Sequence, residues 1–118
     1  MADSVGVYNI EIIQGSDKNI TLIVKDDDNE IIDLDGYDAK MQFRIRKKDK
    51  QVLDELSTDN SRIEITGVEG KIVLKFPSVI TSKYRFITAF YDLEIYSGSQ
   101  VKRIIEGSVS VNQEVTIQ

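Results

Sequence analysis

Carboxylates crowd one stretch of this chain: Asp26, Asp27, Asp28, Glu30, Asp33, Asp35 and Asp38 follow one another with no cation among them. Oxygen donors of this kind build calcium sites. The spacing departs from the helix-loop-helix calcium signature, because Gly36 follows only Asp33-Leu34-Asp35. Two solvated turns flanking a short strand account for the same residues and are the preferred reading. Asp92 and Glu94 form a second acid pair. Two residues apart on a strand, they share a face at a separation of about 6.5–7 Å, which permits general acid-base work of the glycosidase kind. Most alternating strands carry such polar positions on the solvent face, so the pair is not specific for catalysis.

Lys40, Arg44, Arg46, Lys47, Lys48 and Lys50 form a basic segment directly after the acidic one. Opposite charges on one small domain suit head-to-tail docking, in which the acidic edge of one subunit meets the basic edge of the next and closes a ring. The plainer reading is a charged outer strand face that keeps the sheet soluble and discourages edge pairing. Asp26, Asp27, Asp28, Arg44, Arg46, Lys47 and Lys48 are the candidate interface residues. Tyr84, Phe86, Phe90, Tyr91 and Tyr96 could supply a sugar-stacking platform, although at least two of these rings belong in a core.

The chain has no cysteine and no histidine. That removes disulfides, thiolate nucleophiles and cysteine metal sites, together with the side chain that titrates nearest neutral pH. Catalysis is disfavoured, and no catalytic, cofactor or metal residue is assigned. A net charge of -5 works against binding a phosphate backbone, so nucleic acid is not an expected partner. The N-terminal residues show no signal peptide and no stretch is apolar enough to span a membrane, so the chain is expected to be made in the cytoplasm and not secreted by a signal peptide. At 118 residues, 41% hydrophobic and 30% charged, it reads as one folded domain over 1–118 with a single core, residues 1–7 fraying.

The elements that must position these groups are short strands. Ala89 to Tyr96 and Val101 to Val111 alternate apolar and polar residues about a Ser97–Gln100 loop, which predicts a hairpin pairing Tyr96 with Val101, Glu94 with Arg103 and Leu93 with Ile104. Continuing that register would turn Glu106 inward unless a bulge intervenes, and Gly107 is its expected place. Tyr8–Ile13 and Asn19–Lys25 are strands that could pair with each other. A tight turn at Asp26–Asn29 leads to a short strand, Glu30–Leu34. Ala39, Met41, Phe43 and Ile45 then mark the clearest amphipathic strand, and a short strand or extended segment follows over Gln51–Leu56, with Val52 and Leu56 as its inward candidates. Arg62–Thr66 and Lys71–Phe76 flank Gly67-Val68-Glu69-Gly70 as a second hairpin. Pro77 stops the latter strand, and Ser78–Tyr84 makes at most one helical turn with Ser78 as N-cap, crossing between sheets. Glu114–Ile117 closes the chain. The absence of any long amphipathic helix predicts an all-β antiparallel sandwich of about 7–9 short strands, with a small barrel as the alternative.

Gly70-Lys71-Ile72-Val73-Leu74, followed by Tyr91-Asp92-Leu93-Glu94-Ile95, Val101 to Val111 and Glu114-Val115-Thr116, resembles small tail, baseplate or collar proteins of tailed bacteriophages with an immunoglobulin-like sandwich. Ile32 to Tyr37 and Gln42 to Arg46 are similar to the first half of that family, so the likeness covers most of the chain. Ser97-Gly98-Ser99 departs from the Asp-Gly turn expected there. The resemblance implies a non-enzymatic virion component without a cofactor, an immunoglobulin-like fold, and partners that are other virion proteins and further copies of itself in a ring. The alternative is a carbohydrate-binding sandwich that mediates surface adhesion.

Overall fold

The computed structural model describes residues 6–115. The strands are β1 (Gly6–Val7), β2 (Ile10–Ile13), β3 (Lys18–Ile23), β4 (Asp38–Arg44), β5 (Asp54–Ser57), β6 (Ile63–Thr66), β7 (Lys71–Phe76), β8 (Thr88–Ser97) and β9 (Gln100–Asn112). A 3-10 turn at Gly67–Glu69 joins β6 to β7, and the four-residue helix α1 (Ser78–Thr81) begins the crossing from β7 to β8. One sheet has the order β1-β9-β8-β4-β5 with β2 also on β9, and the other β3-β7-β6. With β2 as strand A, these orders place G, F, C and C′ opposite B, E and D, an immunoglobulin-like sandwich. It is antiparallel except at its start, where β1 and β2 run parallel to β9.

Alternation accounts for the layers. In β4, Ala39, Met41 and Phe43 lie opposite Ile95, Leu93 and Tyr91 of β8, and all six are buried. Ile20, Ile63, Ile72, Leu74 and Phe76 from the smaller sheet meet them across the core. Phe43 is its aromatic hub, with ring centroids of Phe76, Tyr91, Tyr84 and Phe86 at 6.0, 6.2, 6.1 and 6.3 Å. With no cysteine in the chain, apolar side chains rather than a disulfide join the two sheets.

The β8–β9 hairpin turns where expected, and Tyr96↔Val101 and Glu94↔Arg103 are in register. Leu93, however, pairs with Ile105, because the ladder shifts between Leu93 and Glu94 and leaves Ile104 as the extra residue. The irregularity therefore precedes Gly107. It still turns Glu106 outward opposite Asp92, while Val109 and Val111 are buried. Gly107 serves a different purpose, since a Cβ there would lie 2.2 Å from the Tyr8 carbonyl oxygen.

Other expectations change. β2 and β3 belong to different sheets, because β2 pairs with the C-terminal part of β9 and β3 with β7. Asn9 marks the break between β1 and β2, its side-chain oxygen accepting from the Ser108 N–H at 3.0 Å. Of the expected fraying segment, Gly6 and Val7 pair with Ile105 and Glu106, and residues 1–5 lie outside the described part. Glu30–Leu34 is no strand; its one bridge is Ile31 with Lys25. β5 begins only at Asp54, leaving Val52 exposed, and β4 ends before Ile45, which is also exposed. Pro77, not Ser78, is the N-cap of α1, and Asp17 Oδ1 accepts the Ser78 N–H at 2.6 Å. β9 stops at Asn112, so Glu114 and Val115 lie beyond it, and the remainder of the closing segment falls outside the described residues.

Candidate assembly surfaces

The strands run along the long axis of a body measuring 45 × 28 × 25 Å, since the thirteen residues of β9 alone span about 43 Å. Register then fixes which loops share an end. Asp38↔Tyr96 closes the β4–β8 ladder at one end and Ile23↔Lys71 closes the β3–β7 ladder there. Segment 26–36 covers that end: Ile32 N–H donates to Val24 O at 3.0 Å and Leu34 N–H to Gly67 O at 2.8 Å. Arg44↔Phe90 and Lys18↔Phe76 close the same ladders at the other end. The 45–53 loop and the crossing from Pro77 to Ile87 lie there.

Asp26, Asp27 and Asp28 thus lie at one end and Arg44, Arg46, Lys47 and Lys48 at the other, whereas Lys40, opposite Glu94, falls toward the acidic end, where Lys25 and Lys71 also lie. Asp26 Oδ1 accepts the N–H groups of Asp28 at 2.9 Å and Glu30 at 3.0 Å, and Asp33 Oδ1 that of Asp35 at 2.9 Å. Short acids that bond their own backbone this way make turns. Asn29 and Gly36, with φ of 64° and 83°, supply the left-handed positions those turns need. Asp26 is half-buried, while Asp27 and Asp28 are exposed. Among the described residues, no three Asp, Glu, His or Cys side chains are grouped to hold a metal ion.

At the basic end, the four candidate cations have different duties. Arg44 Nη2 donates to Gln42 Oε1 at 2.7 Å and Nη1 to the Asp49 carbonyl, which ties the loop to the sheet. Arg46 lies 3.1 Å from Asp49 Oδ1. Lys47 sits over the Phe90 ring at 6.0 Å from its centroid, and Lys48 is exposed. Lys83 and Arg85, not singled out from the sequence, join this end beside a cleft of about 360 Å³ with Ile45, Leu53 and Phe86. Only the chain crossing after β7 brings them beside Ile45 and Leu53, so no local spacing could have pointed to them.

Asp92 and Glu94 do project from one face, the outer face of the larger sheet. There Arg103 lies 3.8 Å from Asp92 and 3.2 Å from Glu106, so its guanidinium reaches past its register partner Glu94. Gln42 Nε2 donates to Glu55 Oε1 at 2.7 Å. The result is a shallow trough of about 380 Å³ with both signs of charge and Phe90 at its side. Of the five aromatic candidates, Tyr84 and Tyr91 are buried in the core.

A buried polar cluster went unforeseen. Arg62 Nη1 lies 2.7 Å from Asp54 Oδ1, and the Tyr84 hydroxyl donates to Asp54 Oδ2 at 2.5 Å. Arg62 also donates through Nε to Lys75 O and through Nη1 to Glu55 O, both at 3.2 Å. Its Nη2 is the buried side-chain nitrogen left without a hydrogen-bond partner among the described residues. Burial, seconded by the Asp54 charge, pushes the Tyr84 hydroxyl well above its usual range against the opposing pull of Arg62. Burial alone would lower the Arg62 pKa, but Asp54 outweighs it and the net direction is upward. This cluster pins β5, β6 and the approach to β8 together near the basic end.

No helix among the described residues is long and apolar enough to cross a membrane. Comparison with protein-family models yields no match, and neither does comparison with curated proteins.

Proposed function

We propose that this chain is a non-enzymatic structural component of a bacteriophage virion, in the tail, baseplate or collar, that works by assembly with further copies of itself and with neighbouring virion proteins. The observation that carries the assembly reading is the separation of charge along the long axis: Asp26, Asp27 and Asp28 at one end, Lys47, Lys48 and Lys50 at the other. The ends of a 45 Å body lie several Debye lengths apart at physiological salt, about 8 Å each, so neither end neutralises the other within one molecule. A second copy can bring them together. The assignment to a virion rests on the sequence resemblance alone.

Sedimentation across a concentration series tests the assembly reading. The mass is expected to rise above 13.4 kDa with concentration and to fall back as salt is raised. A monomer at every concentration and salt would remove self-assembly.

One observation favours a second reading. Phe90, 38% exposed, stands beside Asp92 and Gln42 on the outer face of the larger sheet, the pairing of ring and hydrogen-bonding groups that a sugar uses. A specific glycan-screen hit lost in Phe90→Ala would place carbohydrate binding ahead of assembly.

A further inference from the structure

The sandwich is not sealed along the edge where β1 faces β3. Leu22 of β3, Val24 just after it and Ile105 of β9 pack toward the core, yet all three remain half-buried. With Ile32 and the bulged Ile104 they line an apolar groove of about 320 Å³. Two features keep it open. β1 pairs over only Gly6 and Val7, and Gly6, on the groove wall, has no side chain to fill it. The rim is polar, with Lys25, Asp26 and Asp27 at the acidic end of the molecule.

An apolar groove with acids at its rim fits an apolar side chain flanked by cations. The opposite end of the same chain presents that combination: Ile45 is 44% exposed and Val52 37% exposed, on either side of Lys47, Lys48 and Lys50. Keeping isoleucine and valine in water costs free energy, and so does leaving the groove's apolar lining half-exposed. We infer that the groove is the seat for the 45–53 loop of a second copy, with Ile45 between Leu22 and Ile104 and the loop lysines against Asp26 and Asp27. The inference rests on the assembly reading above and locates its contact. Each copy uses two different surfaces, so the contact is heterologous and propagates into a ring or, if the rotation does not close, a filament.

The absence of native cysteine makes a crosslinking test clean. Ile104→Cys and Ile45→Cys proteins, mixed and treated with a short thiol crosslinker, are expected to give a dimer joined through those two positions. The yield should exceed that from either protein alone and collapse at about 1 M salt, where the Debye length is about 3 Å. In parallel, Ile45→Glu is expected to weaken self-association about tenfold or more while thermal unfolding shows the fold retained, because the side chain is exposed in the single copy. Salt-sensitive assembly of the wild type without the Ile104–Ile45 crosslink, and with Ile45→Glu unaffected, would overturn the groove assignment and leave end-to-end docking standing. Crosslinks from position 104 mapped by mass spectrometry to any segment other than 45–53 would give the groove a different occupant and equally overturn it. A strictly monomeric wild type would remove both.

Discussion

Arg62 and Asp54 meet at 2.7 Å with only 12% and 14% of their side chains exposed, joining the start of β5 to the residue before β6 inside the basic end of the sandwich. A buried pair of this kind is costly to break from one side, because the remaining charge keeps its desolvation penalty without its partner. Asp54→Ala is expected to destabilise the fold by about 3–5 kcal/mol. Tyr84→Phe, which removes one bond to the same carboxylate, should cost about 1.5–3 kcal/mol. Urea denaturation of the two variants against the wild type checks both; equal small losses would mean that Asp54 is solvated.

Alkaline pH acts on the same region. Burial raises the pKa values of Tyr84 and Tyr91, with the charge of Asp54 assisting at the first and that of Tyr8 at the second. Unfolded, each ionises near its ordinary value of about 10. Above that pH the unfolded chain binds fewer protons than the native one, so stability falls as pH rises, and the full contribution is present below it. Denaturation midpoints followed upward from pH 8 should stay level and then drop beyond about pH 10. Tyr84→Phe and Tyr91→Phe should each flatten the drop.

Gly107 and Tyr8 set the docking of the N-terminal strands on β9. A methyl group at 107 would lie 2.2 Å from the Tyr8 carbonyl oxygen and 2.9 Å from its carbon, both backbone atoms. Gly107→Ala is therefore expected to push β1 and β2 off the sheet edge at a cost of about 1–3 kcal/mol. Hydrogen exchange provides a local readout, because the Tyr8 N–H, which donates to Glu106 O at 3.0 Å, should lose protection before the β4–β8 ladder does.

Asp17 caps α1 from the turn after β2, across sixty-one residues of sequence. Asp17→Ala should lower stability by about 1 kcal/mol. Ser78→Ala should leave it nearly unchanged, because no side-chain hydrogen bond caps the helix from within its own segment. Thermal melts of the pair would show the reverse order if the local Ser78 cap were the real one.

What could be read from the chain beforehand was local. The alternation of Ala39, Met41 and Phe43 marks an inner face because the strand period is two, and Ser97–Gln100 marks a turn because small and polar residues accept its backbone. The Tyr96↔Val101 and Glu94↔Arg103 pairs follow from that turn by counting. The count fails at Ile104, whose bulge carries no sequence mark of its own. Alternation also says which face is buried without saying against which strand, so Ile10 and Ile12 gave no hint that they lie parallel beside Val109 and Val111. Asp54, Arg62 and Tyr84 are each ordinary in sequence; only the crossing after β7 makes them a cluster.

In the proposed assembly the acidic end of one copy binds the basic end of the next. Asp27→Lys/Asp28→Lys weakens the acidic end and leaves the basic end intact, and Lys47→Glu/Lys48→Glu/Lys50→Glu cancels the basic end and leaves the acidic one intact. Sedimentation velocity on each alone and on an equal mixture measures the claim directly. Each variant by itself is expected to stay a monomer and the mixture to associate. A mixture that sediments as two monomers under conditions where the wild type assembles would contradict it.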